Sequence, residues 1–476
     1  MQAGDPRPLY VQIADRIVEA IDSERLHPGD RLPAMRDLAR DLDCALVTVS
    51  QAYELLTARG RAVSRVGKGT FVAQLQQGEP FARRWEPDLG RLARAERMEG
   101  VIEQLTRASA PGSITLASGH PAPETFPLTD FARAFHRTLI EDPPELMQYR
   151  AASGDPELCE TLAGLLRTRG CSASANDIIV CSGAQQAADL VATVLLETRS
   201  VVAAESPTYS GTLGVFDARG VTYVEVAGDA DGVRPDDLER VFAEYRPRLF
   251  YINPIAQNPT GAVLPQRRAK HIVALARRYD VVVLEDQTGW QLTYDAPAPP
   301  PLAAFDTDGR VVVMESLSKS IFPALRIGYL FCKSALADAL VLAKARTDVF
   351  TSTLTQRALW RFMNAPAYGR HLRFTRTLYT QRRNAFIEAL SNAVQWAQVR
   401  PPAAGLNVWL PLPSRISTQA AFDACARSGV LVMPSEPFYP TRQGPPALRL
   451  SFGDLSVEQA REGVLRLGAA LSKLAA

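Results

Sequence analysis

Lys319 lies in a segment whose residue types suit covalent chemistry on an aldehyde. The segment reads ESLSKSIFPALRIGYL and follows the apolar run VVVM. A lysine between small hydroxyl side chains after a buried strand is partly desolvated, which favours the neutral amine that forms imines. Arg326 stands seven residues further on, and with Ser316 and Ser318 it can donate charge-assisted hydrogen bonds to a phosphate. We therefore predict an amine beside an anion site.

A turn between a strand and a helix supplies a second candidate for anion binding. The run IIVC leads into Ser182, Gly183, Ala184 and Gln185, and a helical pattern begins at once. Free backbone amides at the start of a helix attract anions. An ordinary strand-to-helix turn gives the same pattern, so this feature supports an anion site only together with Lys319.

Three further side chains are candidates for holding a flat heteroaromatic ring. Asp286 ends the run VVVLED, Asn258 lies in QNPTG, and Tyr209 lies in ESPTYSG. A buried aspartate keeps a pyridine nitrogen protonated, an asparagine amide bonds a phenolic oxygen, and a tyrosine stacks on the ring. A helix cap, a turn and a core tyrosine are the structural alternatives.

Arg449 lies within the apolar run ALRLSFG near the C-terminus. An arginine among apolar neighbours needs a partner, and a carboxylate bound through two parallel hydrogen bonds meets that need. A structural ion pair would meet it as well. The candidates together supply the lysine, anion cradle, carboxylate and flat partner that pyridoxal 5'-phosphate (PLP) requires.

The elements that position these residues alternate between apolar strands and longer helical stretches from about residue 114 onward. This alternation predicts an α/β domain with a largely parallel sheet, and the segment from about residue 372 predicts a smaller α+β subdomain. The clearest strands are predicted at 178–181, 201–204, 222–226, 249–252, 281–284, 311–314 and 327–331.

The first seventy-odd residues predict three short helices and a hairpin, an arrangement that suits either DNA binding or a protein-protein module. The second of two helices joined by a short turn can lie in the major groove, and the hairpin, or wing, can touch phosphates. The outer face of the third helix offers Thr48, Ser50 and Gln51, and Arg36 precedes it. Basic residues gather at the wing, namely Arg59, Arg61, Arg65 and Lys68.

We predict three parts from these patterns: a head at 1–74, a linker at 75–110 and a large domain at 111–476. The linker is rich in glutamine and arginine and predicts a solvated tether, partly helical after Asp88. The chain has 476 residues and a net charge of only +2. DNA binding must therefore come from local charge.

Neither an apolar run of membrane-spanning length nor a secretory pattern is present in the sequence. This predicts a cytoplasmic protein without membrane association. The six cysteines are scattered without a paired CxxC spacing. We therefore expect neither disulfides nor a metal site.

The head resembles the GntR-type winged helix-turn-helix through LPAMRDLARDLDCALVTVSQAYELLTARG and RVGKGTFV. Ala34 stands where that family usually has serine, and Leu46 where a DNA-contacting arginine is common. The second departure affects base readout. The resemblance implies contacts to a double-stranded DNA operator from Arg36, Thr48, Gln51, Lys68 and Gly69.

The remainder, from about residue 111, resembles the fold-type I aminotransferases through SGAQQ, QNPTG, LED, SLSKSIFPALRIG and LRLSF in this chain order. The resemblance implies that Lys319 forms the internal aldimine, Asp286 contacts the pyridine nitrogen and Asn258 the phenolic oxygen. It also implies that Tyr209 stacks on the ring and Arg449 takes the α-carboxylate of an amino compound. The implied phosphate ligands are Gly183, Ala184, Gln185, Ser316, Ser318 and Arg326.

A homodimer with sites at the subunit interface follows from the same resemblance. Tyr149, in MQYRAASGDPEL, matches the tyrosine that reaches the phosphate of the partner subunit. Thr288 and Gly289 stand where a tyrosine is usual after the pyridine-binding aspartate, which removes one hydrogen bond to the phenolic oxygen and leaves catalytic competence open.

A GntR-like head joined to an aminotransferase-like body resembles the MocR subfamily of bacterial transcription regulators, and the run HLRFTRTLYTQRR supports this likeness. The resemblance implies a PLP-dependent regulator that senses PLP or an amino compound by aldimine exchange at Lys319. The alternative hypothesis is a catalytically active aminotransferase with an accessory DNA-binding head. A third hypothesis is a PLP-free dimerising protein.

Overall fold

A computed structural model describes residues 7–23, 25–65, 69–73, 97–333 and 335–475, apart from the side chains of residues 58, 65 and 475. The chain divides into two compact units, Met1–Pro87 and Asp88–Ala476. The three-part division predicted from the sequence, with its boundaries near residues 74 and 110, stays a prediction.

The first unit, the head, holds three helices followed by an antiparallel hairpin. Val49, Ala52 and Leu56 on the third helix are completely buried and form the centre of its core. The elements are α1 (Leu9–Asp22), α2 (Met35–Asp41), α3 (Leu46–Ala58), β1 (Ala62–Arg65) and β2 (Gly69–Val72).

Two local features fix α3 against its neighbours in the head. The Tyr53 hydroxyl donates a 2.8 Å hydrogen bond to the carbonyl oxygen of Pro33, which ties α3 to the turn before α2. Gly60 ends the helix with a φ of 68°, a left-handed conformation that glycine adopts without a Cβ clash. Glycine therefore ends α3 without backbone strain.

The second unit, the body, combines a large mixed sheet with a smaller subdomain. Its strands are β3 (Ile114–Thr115), β4 (Ile178–Cys181), β5 (Val201–Ser206), β6 (Thr222–Asp229), β7 (Gly232–Val233), β8 (Leu249–Ile252), β9 (Val282–Asp286), β10 (Val311–Ser316), β11 (Gly328–Phe331), β12 (Asn407–Pro411), β13 (Val430–Leu431), β14 (Met433–Pro434) and β15 (Ala447–Ser451). Its helices are α4 (Glu99–Ala108), α5 (Leu128–Glu141), α6 (Pro156–Thr168), α7 (Ala184–Leu195), α8 (Ser210–Asp217), α9 (Pro235–Tyr245), α10 (Gln266–Tyr279), α11 (Ala335–Thr347), α12 (Thr353–Met363), α13 (Pro366–Ala393), α14 (Thr418–Arg427) and α15 (Val457–Ala475).

The large sheet has the strand order β4-β11-β10-β9-β8-β5-β6-β7. Its five central strands, from β10 to β6, pair in parallel, whereas β11 and β7 are antiparallel to their neighbours. Every residue of β8 and β10 is buried, as expected where helices cover both faces of a parallel sheet. The predicted α/β class and largely parallel sheet are confirmed.

Helices on the two faces of this sheet form separate apolar cores. One face packs against α6, α9, α10 and α12, and the other packs against α7, α8 and α11. The parallel strands β5, β8, β9 and β10 all point their carboxyl ends to the same edge. Ligands of such sheets bind in the crevice outside that edge, so the loops that follow these strands define where a site should lie.

The smaller subdomain of the body contains the antiparallel sheet β12-β15-β14. Helices α13, α14 and α15 share an apolar core with this sheet. Strand β13 pairs in parallel with β3. The predicted α+β subdomain is therefore present. Arg449 lies on β15, the central strand of its sheet.

The described part of the predicted linker is helical, as expected after Asp88, but it packs on the body and is not a solvated tether. Arg97 is only 8% exposed, and α4 follows it at once. Met98, Val101 and Leu105 recur on one side of this segment and pack against a small apolar cluster of the body. The arginine-rich composition of the linker concealed this short apolar stripe in the sequence.

Within the ranges that the structure describes, no helix is long and apolar enough to cross a membrane. The same ranges hold no cluster of three or more His, Cys, Asp or Glu side chains that could bind a metal ion.

Candidate functional site

Lys319 lies just beyond the carboxyl end of β10, in the crevice that the sheet topology indicates. Its Nζ atom donates a 3.0 Å hydrogen bond to the carbonyl oxygen of Gly119, and the side chain is half-buried. Burial, and then the positive charge of Arg449, lowers the pKa of this amine to about 8. A substantial fraction of the amine is therefore neutral near physiological pH, which a nucleophilic lysine requires.

Asp286 ends β9 and is 4% exposed. Its carboxylate accepts hydrogen bonds from the hydroxyl of Tyr251, at 3.0 Å, and from the backbone N–H of Thr288, at 2.9 Å. Burial raises the pKa of this carboxyl group, and the hydrogen bonds oppose that effect. A protonated pyridine nitrogen would offset the burial of the carboxylate charge.

The turn from β4 into α7 has the form of an anion cradle. Gly183 precedes the helix with a φ of 86°, and a Cβ atom there would stand 2.8 Å from Nη2 of Arg326. That Nη2 donates a 3.0 Å hydrogen bond to the carbonyl oxygen of Ser182. The turn therefore brings the helix N-terminus and the guanidinium together, as a phosphate site requires.

The remaining predicted phosphate ligands lie at the two sides of this turn. Ser316 donates a 3.0 Å hydrogen bond to Ser318 within the segment before Lys319. Ala184 is the first residue of α7 and is half-buried. Gln185 is exposed, and its Nε2 donates to the carbonyl oxygen of Gly211 at 3.2 Å, so part of its hydrogen-bonding capacity is used inside the chain.

Tyr209 follows β5, and Asn258 follows β8, at the edge where the parallel strands end. Burial raises the pKa of Tyr209, the charge of Asp286 raises it further, and the charges of Arg449 and Arg326 oppose this. The Oδ1 atom of Asn258 is buried and has no hydrogen-bond partner in the described part of the chain. An unsatisfied buried amide oxygen is costly, so this acceptor suits a ligand group that donates a hydrogen bond, such as a phenolic O–H.

Arg449 lies on β15 with only 6% of its surface exposed. One Nη atom donates to the carbonyl oxygen of Ala117, and the guanidinium stands 5.2 Å from the ring centre of Phe438. Its Nε atom is buried without a partner among the described residues. Burial lowers the pKa of Arg449 to about 10, so the group still carries its charge at neutral pH.

Tyr149, also a predicted cofactor ligand, lies apart from the other predicted ligands within a single chain. It is 83% exposed and packs edge-on against Phe350, with ring centres 5.7 Å apart. This exposure accords with a residue that reaches another subunit.

On the head, Arg36 and Gln51 are exposed, and Thr48 and Ser50 are half-buried on α3. Gly69 begins β2 with a φ of 106°. Lys68 and the side chain of Arg65, also predicted to bind DNA, lie outside the described residues.

Two arginines of the predicted basic cluster at the wing are paired with acids. Arg59 forms an ion pair with Asp15 at 2.6 Å, and Arg61 forms one with Asp22 at 3.1 Å. Sequence spacing did not reveal these pairs because both acids lie on α1, about forty residues earlier.

Two family comparisons cover most of the chain. Residues 111–467 match the family of class I and II aminotransferases. Residues 9–72 match the gntR family of bacterial regulatory proteins. The chain belongs to the class I and II aminotransferase family and carries a GntR-family head. It thus joins a DNA-binding domain to an aminotransferase-like domain whose cofactor is PLP.

Relatives of this aminotransferase-family chain include both regulators and enzymes. The probable rhizopine catabolism regulatory protein MocR of Rhizobium meliloti is 27% identical, and the alignment covers 98% of this chain and 94% of that protein. Aromatic-amino-acid aminotransferase 1 of Thermococcus litoralis is 30% identical over 77% of this chain and 90% of that protein. Of these two relatives, the one aligned over nearly the whole chain is a regulator, as the MocR resemblance predicted.

The aminotransferase fold of the body is also found among solved structures. LysN, the alpha-aminoadipate aminotransferase of Thermus thermophilus, was solved with N-(5'-phosphopyridoxyl)-L-leucine. It superposes with a TM-score of 0.74 at 29% identity and covers 81% of this chain and 97% of LysN. The predicted fold class and cofactor are confirmed, whereas the individual site residues stay predictions.

The aminotransferase-like site fits PLP on its own geometry. The unsatisfied Asn258 amide, the glycine turn beside Arg326 and the buried carboxylate of Asp286 would receive the phenolic oxygen, phosphate and ring nitrogen. Sequence analysis missed Tyr251, whose hydroxyl binds Asp286. Its position in the buried run LFYI next to β9 gave no signal, because core tyrosines look the same.

Proposed function

We propose that this protein is a transcription regulator whose body holds PLP at Lys319 and responds to an amino compound that carries a carboxylate. The observation that supports this best is the placement of the half-buried Lys319 amine, whose pKa is lowered to about 8. Lys319 and Arg449 both lie at Gly119: its carbonyl oxygen accepts the Lys319 hydrogen bond at 3.0 Å, and a Cβ atom on it would stand 3.4 Å from Nη2 of Arg449. An amine site beside a carboxylate site suits an amino acid.

PLP supplies an aldehyde that bonds reversibly to primary amines, so an effector amine can replace Lys319. Lys319 would hold the cofactor and accept or release a proton at Nζ. Asp286 would hold the proton on the pyridine nitrogen, and Arg326 with the α7 N-terminus would fix the phosphate. Arg449 would orient the effector by its carboxylate.

Regulation requires that the effector bind two conformations of the protein with different affinities. Coupling of this kind is typically about 1–3 kcal/mol, which changes DNA affinity by about 5–150-fold. The proposal therefore predicts a graded change in DNA binding rather than complete loss.

A duplex selected from a random pool by the full-length protein provides the test. Fluorescence anisotropy would measure its affinity with PLP present, before and after a panel of amino acids is added. We expect at least one amino acid to change the affinity of the wild type, and the Lys319→Ala protein to bind the duplex without responding. A Lys319→Ala protein that still responds would refute the proposal.

Retained transaminase activity is a second candidate, supported by Asn258 and by the hydroxyl of Tyr251 on Asp286. Repeated turnover of an amino donor with a keto acid, absent from Lys319→Ala, would establish it. A single half-reaction would not, because a reactive PLP site without catalytic turnover also performs it.

A further inference from the structure

Arg97 is clamped to the body by its whole guanidinium group. Nε and Nη2 bond the two carboxylate oxygens of Asp217, at 2.6 and 3.0 Å. Nη1 and Nη2 also donate to the carbonyl oxygens of Tyr439 and Pro440, both at 2.8 Å. The guanidinium lies 5.4 Å from the ring centre of Tyr223. Arg97 thus holds two consecutive carbonyls of the segment that follows Phe438.

The segment that Arg97 holds also contacts the predicted carboxylate site. Phe438, the residue before Tyr439, packs under the guanidinium of Arg449 at 5.2 Å. The carbonyl oxygen of Phe438 accepts a 2.7 Å hydrogen bond from the backbone N–H of Thr208. Thr208 precedes Tyr209 in the chain, so this segment connects Arg97 with two sides of the site.

Helix α4 packs on the remaining neighbours of Arg449. Met98, Val101 and Leu105 pack against a cluster that includes Phe438. The other members of that cluster surround Arg449 directly: Ala117 accepts its hydrogen bond, and Trp409 and Met433 are its cross-strand partners in the small sheet.

A buried ion pair contributes little net stability, because desolvation of both charges offsets their attraction. Arg97 is 8% exposed and bonds two consecutive backbone carbonyls, so it fixes the position of the segment that follows Phe438. We propose that Arg97 is a positioning residue for the carboxylate site. By holding the carbonyl groups of Tyr439 and Pro440, it fixes the position of Phe438 and hence that of the Arg449 guanidinium. Carboxylate binding and the packing of Arg97 and α4 on the body therefore favour each other.

This inference rests on the proposed function, since it assumes that PLP and an effector carboxylate bind at Lys319 and Arg449. Reciprocity follows from linkage: whatever the docked segment contributes to carboxylate affinity, the carboxylate contributes to docking.

Two cofactor adducts that differ only in a carboxylate provide the probe. N-(5'-phosphopyridoxyl)-L-leucine carries the carboxylate, and N-(5'-phosphopyridoxyl)-3-methylbutylamine lacks it. Titration calorimetry on the full-length apoprotein gives both dissociation constants, and their ratio isolates the contribution of the carboxylate. We expect the wild type to prefer the first adduct, and Arg449→Leu to lose the preference.

Arg97→Gln should reduce the preference by at least about fivefold, the lower end of typical coupling between sites. Arg97→Lys keeps the charge beside Asp217 but loses the planar fork that reaches two carbonyls, so it should act in the same direction with less risk to folding. Arg107→Gln is the matched control, because Arg107 lies on α4 and is 76% exposed in its pair with Glu103.

Hydrogen exchange of the α4 amides supplies a readout that a purely structural role would leave unchanged. The carboxylate adduct should slow exchange in α4 more than the adduct without it, and Arg97→Lys should abolish this difference. If both adducts bind but neither the preference nor the exchange depends on Arg97, the inference is refuted while the proposed function stands. If neither adduct binds the wild type, the proposed function fails and the inference fails with it.

Discussion

The charge environment of Lys319 determines when its amine can react. Burial and the nearby Arg449 guanidinium lower the pKa of Lys319 from 10.5 to about 8. The neutral form gains population as the pH rises through that value, so the rate of PLP attachment should rise through about pH 8 and level off above it. Stopped-flow absorbance of apoprotein mixed with PLP measures this rate.

Arg449→Leu removes the positive neighbour and should shift the midpoint of this pH profile upward, because the charged amine is then less disfavoured. Lys319→Ala serves as the control and should show no such absorbance change. A wild-type midpoint close to the ordinary lysine value, or a downward shift in Arg449→Leu, would contradict the assigned electrostatics.

The glycine at the anion turn is a second test at the level of single residues. Gly183→Ala places a Cβ atom 2.8 Å from Arg326 Nη2, at a φ of 86° where alanine is strained. We expect the displaced guanidinium to weaken phosphate binding, so PLP affinity should fall by about tenfold or more, the equivalent of about 1.5–3 kcal/mol for a lost hydrogen bond to a charged group.

The affinity of pyridoxal, which lacks the phosphate, should change little in the same variant. Gly100→Ala is the matched control, since a Cβ there meets nothing within 4 Å. Equal losses for PLP and pyridoxal would show that the turn does not serve the phosphate.

Individual site residues differed in how far the sequence could predict them. Lys319 and Arg326 were found because their spacing with serines is specific, and the structure places the Arg326 guanidinium at the Gly183 turn. Tyr251 was not found, since its role depends on β8 lying beside β9. The sequence also gave no sign that the Gln185 amide donates a hydrogen bond within the chain, because its acceptor is the carbonyl oxygen of the distant Gly211.

At the scale of elements, we predict that α2 and α3 of the head make separable contributions to DNA binding. Arg36 is exposed on α2 and Gln51 is exposed on α3. The arginine suits a phosphate, whereas the glutamine suits a base edge. Arg36→Ala should weaken binding of a selected duplex and reduce the salt slope by about one, while Gln51→Ala should weaken binding without changing the slope.

Anisotropy over a salt series measures both quantities in the full-length protein. Arg40→Ala is the control on α2, because Asp37 already pairs with Arg40 at 2.8 Å. A slope that falls for Gln51→Ala and not for Arg36→Ala would reverse the assignment of the two helices.

The strands of the body were largely predictable, whereas their arrangement was not. Apolar runs located β4 and β8 at the observed bounds, and β9 was displaced by one residue at its start. The antiparallel β11 between β4 and β10 depends on pairing between distant segments, which periodicity does not encode. The same limit applies to Arg97, whose partners lie 120 and more than 340 residues away.

At the scale of the whole molecule, we predict a homodimer whose sites take residues from both subunits. Tyr149, which is 83% exposed in one chain, would reach the partner's phosphate. Tyr149→Phe should then weaken PLP binding, and Lys319→Ala should abolish covalent attachment.

Mixed dimers of these two variants provide the test. Pairing a Lys319→Ala chain with a Tyr149→Phe chain restores one intact site, because each chain supplies what the other lacks. We expect mixing and reassociation to recover tight PLP binding in these dimers. If neither mixing nor a higher protein concentration recovers tight PLP binding, Tyr149 does not contribute to the partner's site.

The central claim is that PLP is held by the amine of Lys319. Borohydride reduction of the PLP-loaded protein, followed by mass spectrometry of its peptides, fixes the cofactor to whichever lysine carries it. We predict a phosphopyridoxyl group on the peptide that contains Lys319 and its disappearance in Lys319→Ala. A modification on another lysine, such as Lys333 or Lys344, or none at all, would contradict the account.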